Sequence, residues 1–180
     1  MPAYTEKQYG GVYMKKNYDM QYSDFNTLFS KTPQAVAVLQ GSPAYADIRG
    51  SVRFYGTHYG VFVVAEVGGL PRGGRCATPI FAFHIHEGAA CRGDMADPFA
   101  KVGSHYNPQG CLHPYHAGDL PPLWGVNGYA FSAFLTARFA IEDIVGKTVV
   151  VHAGLDDFTT QPSGNAGAKI ACGEIRAVTG

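Results

Sequence analysis

The sequence predicts an all-β sandwich or barrel carrying two long loops, and three observations lead there. The 180-residue chain holds 23 glycines and 11 prolines, a density that suits short strands joined by turns. Apolar and polar residues alternate over short runs, while sustained helical periodicity is nearly absent. The length fits one domain with a sizeable core.

Residues 1–32 are polar and rich in tyrosine, with Tyr4, Tyr9, Tyr13, Tyr18 and Tyr22. They read as an extension packed on a main domain of residues 33–180, since so many aromatics can bury large area. Ala35 to Leu39 is a short apolar strand, and Gly41 with Ser42-Pro43 makes a turn. From Ile48 to Tyr55, Ile48, Val52 and Phe54 alternate with Arg49, Ser51 and Arg53, the pattern of a half-buried strand. Gly56 to Gly60 is a hairpin turn containing His58, which is expected at the surface. Val61 to Val67 is the third strand and Thr78 to His86 the fourth. Residues 87–126 form a loop of about 40 residues, a length that in a compact domain usually serves function. Strands follow at Tyr129 to Leu135, Lys147 to His152 and Lys169 to Val178, with a second polar loop from Ala153 to Ala166.

Charge is balanced, at 14 basic and 14 acidic residues, which argues against nucleic acid or an anionic membrane as an obligate partner. No stretch is long and apolar enough to span a bilayer. The N-terminus lacks the apolar core of a signal peptide. The expected location is therefore cytoplasmic, or extracytoplasmic with the signal already removed.

Five of the seven histidines lie between Phe83 and Asp119, and His152 ends another apolar strand. Imidazole is the commonest protein ligand for copper and zinc, and a carboxylate suits zinc. Residues two apart in a strand share a face, so His84 and His86 can grip one ion, joined by His105 and His152. His113, His116 and Asp119 recur at three-residue intervals in a Pro/Gly-rich loop. Ordering such a loop costs about 1–2 kcal/mol per residue, which bound metal can offset.

The segments FHIHEG, GSHYNP, HAGDLP, VVVH followed by Asp156-Asp157, and GNAGAKIACG together resemble the Cu,Zn superoxide dismutase family, in a bacterial-type member with an N-terminal extension. The likeness covers roughly residues 34–178. It implies a Greek-key, immunoglobulin-like β-barrel or sandwich of about eight antiparallel strands. It also implies copper held by His84, His86, His105 and His152, and zinc held by His105, His113, His116 and Asp119. His105 would serve both ions. Asp156 matches the carboxylate that links a copper histidine to a zinc histidine, fixing ring orientation and basicity. Cys172 matches one half of the family's internal disulfide, with Cys91 as its partner. That bond would stabilise by about 4 kcal/mol through loop closure.

Three features depart from the family pattern. His113 and His116 are close in sequence compared with most eukaryotic members, which bears on zinc affinity. Lys169 stands where an arginine is usual, keeping the charge without the planar two-pronged donor. Residues 1–32 and the insert Arg72 to Ala77 have no counterpart. Cys76 and Cys111 are left over, and a bridge between them requires the insert to fold back.

The implied activity is conversion of superoxide to oxygen and hydrogen peroxide. Copper would change oxidation state, and His105 would take up and deliver a proton. A small monoanion as substrate calls for positive charge at the copper mouth, from Lys169 first and from Arg92 or Lys101 second. The competing readings are a copper store or carrier on the same fold, a copper-only dismutase, and a structural role for the tyrosine-rich arm. The complete histidine set and Lys169 weigh against a carrier, which needs neither a shared histidine nor a guiding charge. A homodimer is possible through an exposed β edge and Trp124.

Overall fold

Alternating side chains turn this sequence into antiparallel strands. In the computed structural model, which describes residues 30–74 and 79–179, they are β1 (Ala35–Gly41), β2 (Arg49–Thr57), β3 (Gly60–Gly68), β4 (Ile80–Phe81), β5 (Phe83–His86), β6 (Leu123–Trp124), β7 (Tyr129–Thr136), β8 (Thr148–His152) and β9 (Lys169–Ala177). Seven form one curled sheet in the order β5-β8-β9-β1-β2-β3-β7, and β4 pairs with β6 in a small second sheet. The neighbours β5–β8, β9–β1 and β3–β7 are far apart in the chain, so long connections must cross the ends in Greek-key fashion. The connection from β5 to β6 carries His105, His113 and His116, while His84 and His86 lie on β5 and His152 ends β8. Nearly all of the N-terminal extension expected from the sequence, and Cys76 with it, lies outside the described residues.

The period-2 pattern decides which face is buried. On β2, Val52 and Phe54 are fully buried while Arg49 is exposed. They join Leu39, Val63, Phe83, Ile85, Val149 and Ile175 in one core. Each such side chain contributes about 1.5–3 kcal/mol when fully buried. A smaller cluster of Phe99, Val102, Val150 and Cys172 packs separately, with Cys91 against it. Val150 alternates with the core residues Val149 and Val151 along β8 and therefore faces the opposite side of the sheet. His84 on β5 stands directly opposite Val150, on that same outer side.

Two elements differ from the sequence reading. The strand expected from Thr78 to His86 divides at Ala82. Ile80 and Phe81 pair with Trp124 and Leu123, whereas Phe83 to His86 pair with β8. Ala82 itself donates to Gly154 O (2.7 Å) and accepts from His152 N (2.9 Å), so its backbone is satisfied across the change of sheet. The second difference is β6, which falls inside the segment expected to be loop. A hairpin joins it to β7: Val126 and Tyr129 exchange backbone hydrogen bonds of 2.7 and 3.0 Å. Between them, Asn127 and Gly128 have φ of 54° and 85°. Two successive positive φ values define the tight turn that suits strand twist, and Asn-Gly is its sequence signature. The described strands therefore number nine, against about eight expected. One helical turn, α1 (Ile141–Ile144), was too short to show periodicity; Asp143 Oδ2 caps it by accepting from Ala140 N at 2.8 Å.

Candidate metal centre

Strand β5 is held on both edges. β8 pairs with one, and the loop after β5 returns along the other. Tyr106 N donates to Ile85 O (2.8 Å), Ile85 N to Gly118 O (2.8 Å) and Leu120 N to Phe83 O (3.2 Å). His84 thereby comes opposite Asp119, and His86 opposite His105. Backbone pairing alone carries loop residues 14 positions apart to the two histidines of one strand.

In one group, the ligand-type atoms of His84, His86, His105 and His152 all lie within 4.8 Å of one another, and all four residues are buried. Backbone carbonyls fix two of the tautomers. His86 Nδ1 donates to Gly103 O (2.9 Å) and His152 Nδ1 to Gly167 O (3.2 Å). Each ring therefore turns an unprotonated Nε2 inward, and these two nitrogens are 3.3 Å apart. Two lone pairs facing each other in a buried site have no stabilising partner except a cation. Burial holds the His86 imidazole down to about 2 and, with the nearby His84, that of His152 to about 3. Burial also lowers His84. All three rings are thus kept in the neutral form that binds metal.

The second group is His105, His113, His116 and Asp119, again buried and within 4.8 Å. His105 Nδ1 donates to Asp119 Oδ1 (2.8 Å). Nδ1 of His113 and of His116 lie 3.1 and 3.2 Å from Asp119 Oδ2 but lack hydrogen-bond partners. Burial alone would raise the Asp119 carboxyl; the His105 hydrogen bond and the three imidazoles reverse that and hold it below its usual range. The short interval between His113 and His116 does not keep these residues apart.

His105 belongs to both groups. With Nδ1 committed to Asp119, its other ring nitrogen, Nε2, is buried and without a protein partner, as is Nδ1 of His84. The His105 and His84 rings are 3.9 Å apart, centroid to centroid. Buried polar atoms are nearly always bonded, so four bare ring nitrogens in one place fit a site completed by metal. Six imidazoles and one carboxylate are a donor set suited to copper and zinc.

A further carboxylate ties the groups together. Asp156 accepts from His84 Nε2 (2.7 Å) and from His113 Nε2 (2.8 Å). Burial opposes its ionisation, yet these bonds and the Phe158 N–H hold it down to about 2. Gly164 makes room for this bridge: a Cβ there would sit 2.0 Å from Asp156 Oδ1 and 2.7 Å from His113 Nε2, and its φ is +66°.

Three restraints on the loops were not legible beforehand. Gln161 and His113 exchange two hydrogen bonds, His113 N to Gln161 Oε1 (3.0 Å) and Gln161 Nε2 to His113 O (2.8 Å). Arg138 Nη1 donates to three carbonyls of the histidine loop, Pro114 (3.1 Å), His116 (3.2 Å) and Asp119 (3.1 Å). Lys169 pairs with Asp97 at 2.5 Å. No motif announces contacts of a side chain with distant backbone or with a distant side chain. Cys91 and Cys172, by contrast, are joined as a disulfide, as the sequence led one to expect. His58, Arg92 and Lys101 are exposed. Among the described residues, Cys111 is an exposed free thiol; the bridge to Cys76 that the sequence left open falls on a residue outside them.

Fold and site together define a class: a Greek-key β protein with two adjoining, histidine-rich groups that could each hold a metal ion and that have His105 in common. A sequence profile of the copper/zinc superoxide dismutase (SODC) family matches residues 48–175. The chain belongs to this family. It is 32% identical over 146 residues to Cu-Zn superoxide dismutase 2 of Aquifex aeolicus (strain VF5), covering 72% of this chain and 80% of that protein. Identity is 34% over 135 residues to the Cu-Zn superoxide dismutase of Legionella pneumophila, covering 71% and 77%. It is 30% over 141 residues to that of Photobacterium leiognathi, covering 71% and 78%.

Proposed function

We infer that this protein converts superoxide to oxygen and hydrogen peroxide, with copper held by His84, His86, His105 and His152 and zinc by His105, His113, His116 and Asp119. The observation that carries the reading is His105, whose Nδ1 meets Asp119 while Nε2 is left buried and unpartnered beside the other three histidines. Family membership supplies the reaction, and the donor set suits both metals.

Copper, when bound, supplies the one-electron couple by which one superoxide is oxidised and a second is reduced. The chain's residues do the remainder. His86 and His152 are locked by Gly103 and Gly167 with Nε2 available. Asp156 holds the His84 and His113 rings in fixed tautomers, each with Nδ1 free of its proton. His105 holds or releases a proton at Nε2, the atom that meets no other protein group. Asp119, ionised and hydrogen-bonded, keeps that ring in place. Lys169 is the cation that draws the substrate anion: it neighbours His152 in the β8–β9 ladder.

Pairing of two copies belongs to the same reading. Trp124, Val126, Tyr129 and Phe131 are exposed on β6, its hairpin turn and β7, an apolar face of the kind that marks interfaces. Sedimentation of a Trp124→Glu variant as a monomer beside a dimeric parent supports this; a monomeric parent refutes it. Residues 1–32 are an extension to the catalytic domain of 33–180. The activity is tested by following superoxide decay with the copper- and zinc-loaded chain. Acceleration far above that of the same metals free in buffer is expected, and none above that control overturns the reading.

A further inference from the structure

The guiding charge of Lys169 does not stand alone. Its ammonium meets Asp97 Oδ2 at 2.5 Å, with side-chain exposures of 21% and 41%. The carboxylate is held there by its own segment. Asp97 Oδ1 accepts from Phe99 N (3.0 Å), and Asp97 N donates to Asp94 Oδ1 (3.0 Å). The segment is in turn fastened to the strand that carries Lys169, because Cys91 is bonded to Cys172 on β9. Lys169 and His152 are partners in the β8–β9 ladder, so the ion pair sits beside one of the four histidines of the copper group.

We propose that Asp97 is a positioning residue that occupies the Lys169 ammonium in place of an anion and so sets how strongly the copper mouth attracts small monoanions. A free ammonium would offer a full positive charge to an arriving superoxide. The pair offers a dipole, and the substrate must displace a carboxylate to reach the cation. Partial exposure keeps this competition open, since an ion pair that water reaches is only weakly held. Lysine suits such an exchange better than arginine, whose planar fork would bind a carboxylate with two parallel hydrogen bonds. The inference rests on the reading of Lys169 as the guiding charge.

The test is azide titration of the copper- and zinc-loaded protein by absorption, alongside the salt dependence of superoxide consumption, in the parent, D97N, K169Q and the double variant. The amide introduced by D97N retains an oxygen for the Phe99 N–H, so the substitution removes charge and spares the turn. D97N is expected to tighten azide about fivefold, the factor a surface ion pair corresponds to, and to steepen the loss of rate with ionic strength. K169Q is expected to weaken azide, and in its background D97N to change azide affinity by less than about twofold. Unaltered azide affinity in K169Q refutes the guiding role of Lys169 and the inference with it. Weakened binding in K169Q with unchanged or weaker binding in D97N overturns the inference alone. A D97N effect that persists undiminished without Lys169 overturns it as well.

Discussion

His86 and His152 remain neutral in the folded chain far below the pH at which a free imidazole protonates, because burial penalises their charged forms. In the metal-free protein this makes stability depend on pH with a definite sign. Below about pH 6.5 the unfolded chain takes up protons at both rings, while the folded chain does not until about 3 and 2. Protons therefore favour the unfolded state, and stability falls as pH falls through that window. Two such histidines cost about 3 kcal/mol between pH 7.5 and 5.5. The ionised Asp156 has the same sign at lower pH: its contribution is present above the ordinary carboxylate range and disappears toward about 2. Denaturant melts of chelator-treated protein at the two pH values measure the loss, and a flat or rising stability contradicts it. At this scale the sequence was most readable where one residue type repeats at short spacing, as in His84-Ile85-His86. It was silent on Asp97 and Arg138, whose partners lie 72 positions and 19 to 24 positions away.

The element that matters most is β5, a four-residue strand caught between β8 and a returning loop. It places two histidines on one face and gives the loop a rail on which His105 and Asp119 register. Arg138 then fastens the loop from outside, filling three carbonyls that would otherwise compete for water. Arg138→Ala is expected to weaken zinc retention by roughly 10–100-fold, the usual effect of removing support behind metal ligands, while copper retention changes little. Competition with a chelator, read for each metal, checks this; equal loss of both metals, or of neither, contradicts it. Alternation in β2, and short strand-like runs bounded by turn residues elsewhere, made β1, β2, β3, β7, β8 and β9 legible in the sequence. Such patterns could not show the break at Ala82, because Ile80, Phe81, Phe83 and Ile85 are apolar on both sides of the change of sheet. The strand β6 was hidden by its brevity, although Asn127-Gly128 marked the turn that follows it.

Across the whole molecule, two long connections converge on one side of the sheet and are pinned by different means. The disulfide, spanning 81 positions, ties the first to β9. Asp156 and Gln161 tie the second to His113. The family profile covers residues 48–175, the stretch that holds every histidine of the site and both bonded cysteines. Fold and site were readable together because β5, the connection that follows it and the end of β8 carry the ligand-type residues in a fixed order. The central claim is that β5, β8 and the loop after β5 build two metal sites sharing His105, and elemental analysis of the purified, metal-reconstituted protein tests it most directly. One copper and one zinc per chain is the predicted result. Copper without zinc, or neither metal above trace amounts, would contradict it.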